Sequence, residues 1–212
     1  MKEAFYKIVR LIGRRVFLNA SAPRVLHAER AARAGGYILA ANHGSPYDAP
    51  LIIASNPRVI YWLSIVEIFR NPLVGCFLRC FGAEPLDRSG PDPRTVRHIV
   101  RHLRAGRVVG VFPEGGVRAP EESVLQGGAL HDGVCKLAQL ACVPVLPCVV
   151  VGSGKFADWK CWLPGARTRW VVAFGEAIFV REDANSARAR GVMIEEIKSA
   201  LRALHTEVAD HA

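Results

Sequence analysis

Acidic side chains are in short supply in this sequence. Nineteen Asp and Glu stand against 28 Lys and Arg, a formal charge of +9 with a pI near 9.6. Such an excess favours phosphate-bearing partners, whether nucleic acid, lipid headgroup or small substrate, without choosing among them. Long apolar runs are missing as well. Leu137 to Gly154 carries no charge but is broken by Pro144 and Pro147, and Val59 to Phe81 is interrupted by Glu67, Arg70 and Arg79. Neither suits the centre of a bilayer. Lys7 and Arg10 leave no apolar core near the start, so no secretory signal is expected. The six cysteines (Cys76, Cys80, Cys135, Cys142, Cys148, Cys161) contain no C-x-x-C pair, which argues against a zinc or redox motif and for packing thiols in a reducing cytoplasm.

Several catalytic signatures are absent too. No G-x-S-x-G elbow of a serine hydrolase occurs. The stretch "VVVGSGKF" has Val149 where a phosphate loop needs glycine and Phe156 where it needs a hydroxyl. His98 and His102 stand four apart on a predicted helix, but the Glu of H-E-x-x-H is missing and no third ligand is evident, so a solvated basic face is expected and no metal. The arginines are not interleaved with aromatics, which speaks against nucleic acid.

What is present is a chain of 212 residues, half of them hydrophobic, with mean hydropathy +0.17. That suits one domain that touches a bilayer without crossing it. Residues 3–18 place Phe5, Ile8, Val9, Ile12 and Val16 at helical spacing and Lys7, Arg10 and Arg14 on another face. A basic amphipathic helix over 1–20 follows, either packed on the domain or lying on an anionic membrane. Beyond it, strands are predicted at "GGYILAA", 58–63, "RVVGVF", "VPVLPCVVV" and "TRWVVAFGEAIFV". Helices are predicted after Ser45, over 92–105, near 129–141 and through Ile194, Ile197, Leu201 and Leu204. The alternation implies an α/β fold, a layered, mostly parallel mixed sheet flanked by helices.

Two strand ends carry polar clusters. "NHGSPYD" matches a helix start, with Ser45 as N-cap, Pro46 at the first helical position and Asp48 at the third. That accounts for Asp48 and leaves His43 unexplained. A histidine just past the carboxyl end of a buried strand sits where α/β folds bind ligands, and a carboxylate one turn on could fix its tautomer. Spacing alone leaves both readings open. "VVGVFPEGG" ends a second apolar strand in Glu114, Gly115 and Gly116, and "GAEPLDRSG" offers Asp87 and Arg88 on an extended segment.

Together, in order and spacing, these stretches resemble the lysophospholipid acyltransferase family. The family's N-H-x-S-x-x-D motif is met by Asn42, His43, Ser45 and Asp48. Gly82, Asp87 and Arg88 meet the second motif, Phe112, Pro113, Glu114 and Gly115 the third, and Val143, Pro144, Val145 and Pro147 the fourth. The resemblance covers about residues 36 to 175 and sets an acyltransferase domain at 21–212. It implies transfer of a fatty acyl group from a thioester, on coenzyme A or acyl carrier protein, to a lysophospholipid hydroxyl, by default 1-acylglycerol-3-phosphate, with no cofactor.

On that resemblance His43 is the general base and Asp48 its partner. Arg88 would meet a phosphate, Glu114 the acceptor, and backbone donors near Gly115 the oxyanion, with Asn42, Ser45, Gly116 and Arg118 completing the substrate site. The segment from Val59 to Phe81 would line an acyl tunnel or approach lipid. A peripheral place on the cytoplasmic face of a membrane is expected. One departure stands out: Gly116-Val117 occupies the place of the family's Thr-Arg, and Arg118 is the nearest guanidinium. This opens the acceptor to alternatives such as a lyso-ornithine lipid. A non-catalytic module that binds anionic lipid on the same scaffold is the other alternative.

Overall fold

A computed structural model describes residues 21–80, 83–86, 90, 93–163, 165–180 and 187–209, and the single positions Ile8, Leu11 and Arg15. Its strands are β1 (Ser21–Leu26), β2 (Tyr37–Ala41), β3 (Ile60–Ile65), β4 (Glu84–Leu86), β5 (Val108–Val111), β6 (Val145–Val151) and β7 (Thr168–Phe174). Helices are α1 (Ala28–Ala31), α2 (Asp48–Ser55), α3 (Pro72–Cys80), α4 (Pro93–Arg104), α5 (Gly133–Ala141) and α6 (Ala187–Ala209). The strands form one sheet in the order β1-β7-β6-β2-β5-β3-β4. β6 and β7 pair antiparallel and the other neighbouring pairs are parallel.

The central strands are covered on both faces, which is why β2 and β5 read as unbroken apolar runs and are buried throughout. Side-chain alternation sends Tyr37, Leu39 and Ala41 of β2 to one face, with Leu51 and Ile52 of α2. Ile38 and Ala40 go to the other, with Ile99 and Leu103 of α4, Cys135 and Ala138 of α5, and Ile197 and Leu201 of α6. Gly110 in β5 is needed for packing. A Cβ there would lie 2.7 Å from the Trp62 ring, so its absence lets that indole lie against the strand.

Several boundaries differ from expectation. β1 was not foreseen, because "SAPRVL" lacks alternation and contains Pro23; an edge strand tolerates both. α5 begins at Gly133 rather than near 129, since the His131 amide donates to the Pro113 carbonyl at 2.9 Å and holds that segment against the loop after β5. β7 stops at Phe174, and beyond it Ile178 makes only an isolated bridge to Val145. The described cysteines are free thiols. Cys135 and Cys148 are buried, and burial pushes the Cys135 thiol up to about 11 and raises Cys148 further, whereas Cys76 and Cys142 are exposed, against the apolar setting expected for most of the cysteines. Of the expected N-terminal amphipathic helix only Ile8, Leu11 and Arg15 are described, each helical and exposed; the rest lies outside the described residues. Among the described residues, no helix is long and apolar enough to cross a membrane.

Candidate active site

β2 and β5 are parallel neighbours, Ala40 beside Val111, so the loops that follow them leave the same edge of the sheet. The first carries His43, the second Glu114. In the first loop the helix starts later than the sequence suggests, with Tyr47 preceding α2 and Ser45 and Pro46 in a turn. The expected capping bonds form nonetheless. The Ser45 amide donates to Asp48 Oδ2 at 2.9 Å, and the Tyr47 amide donates to Ser45 Oγ at 3.2 Å.

Asp48 also faces the histidine. His43 Nδ1 lies 3.1 Å from the same Oδ2, and Asp48 is fully buried. Cap and couple are therefore one arrangement: the Ser45 amide fixes the carboxylate, and the carboxylate fixes the imidazole. A carboxylate oxygen only accepts, so Nδ1 carries the proton in this contact, and in the neutral ring Nε2 is then the nitrogen with the lone pair. Asp48 Oδ1 is buried without a hydrogen-bond partner among the described residues.

Phe112 and Trp62 hold the ring from its face. Phe112 stacks on His43 with centroids 3.8 Å apart and planes 9° from parallel, and Trp62 stacks behind Phe112 at 4.7 Å. Phe112 belongs to a motif read from the sequence, but its contact with His43 was not foreseen and Trp62 was not singled out. The available signal was strand pairing, which places β3 beside β5 and hence Trp62 beside Gly110.

Glu114 closes the second loop from inside. It is buried, and its Oε1 accepts from the His43 amide at 3.2 Å and from Ser123 Oγ at 3.4 Å, while Oε2 is buried with no hydrogen-bond partner among the described residues. Burial raises its carboxyl above the ordinary value of 4.5, and the donors from His43 and Ser123 offset part of that rise. The loops are sewn together a second time where the Arg118 amide donates to the His43 carbonyl at 2.8 Å.

The remaining expected residues fall out as follows. Both ends of the Asn42 amide pair with Val150 of β6: Nδ2 donates to its carbonyl at 3.0 Å, and its amide donates to Oδ1 at 2.8 Å. Asn42 is thus a tie between strands. Ser45 serves the turn. Gly115 has φ +81°, which favours glycine, and its amide donates to the Phe112 carbonyl at 3.0 Å. That engages the Gly115 amide itself, in the stretch from which oxyanion donors were expected. Gly116 is adjacent, in open space. Arg118 folds back, with Nε and Nη2 donating to the Glu114 carbonyl at 3.2 and 2.9 Å. Arg88, with Asp87 and Gly82, lies outside the described residues, and β4 ends at Leu86, immediately before Asp87 in the chain.

The apolar segment from Val59 divides. Ile60, Trp62 and Phe69 enter the core, while Ile68 and Leu73 are exposed. His98 and His102, for which no third ligand was evident, are joined by Glu84.

A paired histidine and carboxylate at the carboxyl edge of a parallel sheet, over an aromatic stack and beside a buried glutamate, fits proton transfer in a group-transfer site. The Acyltransferase family matches residues 23–151, well over half of the chain, and the chain belongs to that family. Similar proteins include a 1-acyl-sn-glycerol-3-phosphate acyltransferase of Bacillus subtilis (strain 168), 30% identical over 135 residues, which are 62% of this chain and 65% of that protein. A protein of the same description from Streptococcus pneumoniae (strain ATCC BAA-255 / R6) is 28% identical over 111 residues, 51% of this chain and 40% of the relative. The chain thus spans less than two thirds of each of these relatives. In fold it is similar to the crystal structure of the 1-acyl-sn-glycerophosphate (LPA) acyltransferase of Thermotoga maritima, with a TM-score of 0.67 at 22% identity, covering 96% of this chain and 81% of that one.

Proposed function

We propose that this protein transfers a fatty acyl group from a thioester, on coenzyme A or acyl carrier protein, to the free hydroxyl of a lysophospholipid, with 1-acylglycerol-3-phosphate the first acceptor to test. The observation that carries the reading is the 3.1 Å contact of His43 Nδ1 with the buried Asp48, which leaves Nε2 able to take a proton.

In this mechanism the acceptor's O–H proton moves to His43 Nε2 as its oxygen bonds to the thioester carbonyl carbon. Asp48 stabilises the resulting imidazolium. When the tetrahedral intermediate collapses, the C–S bond breaks and the departing sulfur takes the proton from Nε2. A positioned base is worth about 10²–10⁴ in rate, so the remainder must come from holding donor and acceptor together and stabilising the oxyanion. With the Gly115 amide engaged, the Gly116 amide is the better candidate donor. Arg88 remains the proposed phosphate ligand.

The same edge suits a lipid surface. Val117 follows β5, Ile68 and Leu73 follow β3, and Trp159 and Leu163 follow β6. All are exposed, and all lie in segments that leave the carboxyl ends of parallel strands. Lys155 and Lys160 beside Trp159 add positive charge. A peripheral position, with this edge against an anionic bilayer, follows. The test is to supply the purified protein with labelled acyl thioester and a panel of lysolipids, including lysophosphatidate and lyso-ornithine lipid, and identify products by mass. Acylation of lysophosphatidate alone fits the proposal, acylation of another lysolipid changes the acceptor, and liposome binding without any acyl product overturns it.

A further inference from the structure

At the β4 edge of the sheet, from residues that the His43 centre does not use, we infer a divalent transition-metal site made by Glu84, His98 and His102. His98 and His102 are one turn apart on α4, with ring centroids 4.4 Å apart. Glu84 reaches them from β4, its Oε1 3.4 Å from His98 Nε2. One ligand atom from each of the three lies within 4.8 Å of the other two. Ligands on a tetrahedral zinc at 2.0–2.2 Å sit about 3.4 Å apart, so closing the site takes roughly 1 Å of side-chain movement. His98 and Glu84 are partly exposed and free to make it, whereas His102 is buried and fixed by Tyr61, whose ring meets it edge-on at 4.7 Å.

The donor set selects the ion. Two imidazoles and one carboxylate suit Zn²⁺, Co²⁺ or Ni²⁺ and offer too little oxygen for Mg²⁺ or Ca²⁺. Three protein ligands leave a position for water. Arg107 opposes binding, since its Nη1 is 3.2 Å from His102 Nε2. Its guanidinium also lies over the Tyr61 ring at 5.3 Å, a place it can keep if it releases the imidazole. The cation makes this a moderate site, with affinity on the order of micromolar rather than that of closed structural zinc.

An ion here would join α4 to the short edge strand β4, whose described residues Glu84, Pro85 and Leu86 pair with β3. The next two residues in the chain are Asp87 and Arg88, so the clamp fixes the root of the segment that bears the proposed phosphate ligand. The site shares no residue with the His43 centre. Its failure would leave the proposed acyl transfer standing, and the reverse holds too.

The test uses EDTA-washed full-length protein in equilibrium dialysis with Zn²⁺. One ion per chain is expected, with a rise in melting temperature on the order of 5 °C at a hundredfold excess over Kd. Glu84→Gln and His98→Asn, checked by circular dichroism, should each weaken binding at least about tenfold, and Arg107→Gln should tighten it. With Co²⁺ the wild type should show visible d–d bands without the near-ultraviolet charge transfer of a thiolate ligand. Wild-type affinity in both E84Q and H98N, a thiolate band, or no saturable binding at 100-fold above the expected Kd, on the order of 0.1 mM, would each overturn the site.

Discussion

The imidazole of His27 lies closer to a carboxylate than the imidazole of His43 does, 2.8 Å from Glu207 against 3.1 Å from Asp48. The two regions differ in everything else. His27 sits at the corner between β1 and α1, 30% exposed at the side chain, and Glu207 is 46% exposed near the end of α6. At the carboxyl edge of β2 the corresponding exposures are 17% and 0%, the carboxylate is pinned by the Ser45 amide, and the ring is backed by Phe112 and Trp62. Separation alone therefore does not set the proposed catalytic couple apart from an ordinary surface pair. Solvent screens and loosens the corner pair, while burial and fixed neighbours make the edge pair hold one geometry.

If that contrast is sound, the largest effect belongs to His43. His43→Ala is expected to lower acyl transfer to lysophosphatidate by about 10³ or more with the far-ultraviolet spectrum unchanged, because it removes the imidazole proposed to take the acceptor's proton. Substantial retained turnover in a labelled-thioester assay would remove His43 from the mechanism.

Asp48→Asn comes next, at about 10²–10⁴ in kcat. Its amide oxygen can still accept from Ser45, but it no longer carries charge to stabilise an imidazolium. The readout is a split: a large kcat loss with a nearly unchanged melting temperature marks the couple, whereas a matching loss of stability would mark a cap only.

Phe112→Leu keeps the apolar volume and removes the stacked ring. Because the imidazole plane is held from that side, kcat should fall roughly ten- to a hundredfold with KM little changed. An unaltered kcat would show that Asp48 alone orients the base.

Glu114→Gln separates stability from activity. The Glu114 carboxyl is raised above 4.5 by burial, so the folded chain binds its proton more tightly than the unfolded chain does. As pH rises from 4.5 through the raised folded value, wild type loses stability relative to the glutamine variant. At pH 7.5 the variant should melt roughly a few degrees higher, and the gap should close as pH falls toward 4.5. Oε1 keeps its donors from His43 and Ser123 in this variant, so a lower melting temperature would mean that the charge is needed to join the loops.

Much of this edge was legible in the sequence for one reason: its contacts are local or follow from parallel pairing. His43, Ser45 and Asp48 lie within a single turn, and two apolar strands ending in polar loops bring Glu114 to the same edge. What was not legible depends on contacts distant in sequence. Asn42 was grouped with substrate-binding residues, yet its partner is Val150, 108 residues away. Oxyanion donors were expected near Gly115, and the amide of Gly115 itself donates instead to the Phe112 carbonyl. Trp62 matters only because Gly110 has no side chain. Glu84 sits on a strand too short and too irregular in pattern to announce that it meets α4. β1 followed the same rule, since an edge strand holding a proline carries no alternation to read.

The smallest effect should come from the shortest pair. Glu207→Gln leaves a hydrogen-bond acceptor for His27 and removes only the charge, at a corner open to solvent. Urea unfolding is expected to shift by no more than roughly 0.5 kcal/mol, and acyl transfer should not change, because the corner and the edge share no contact that this substitution alters. The ranking then runs opposite to distance: the 2.8 Å pair matters least and the 3.1 Å pair most. A Glu207→Gln variant that lost turnover would break the contrast at its root, since the end of α6 would have to bear on the site through the β1–β7 side of the sheet rather than through anything His43 touches.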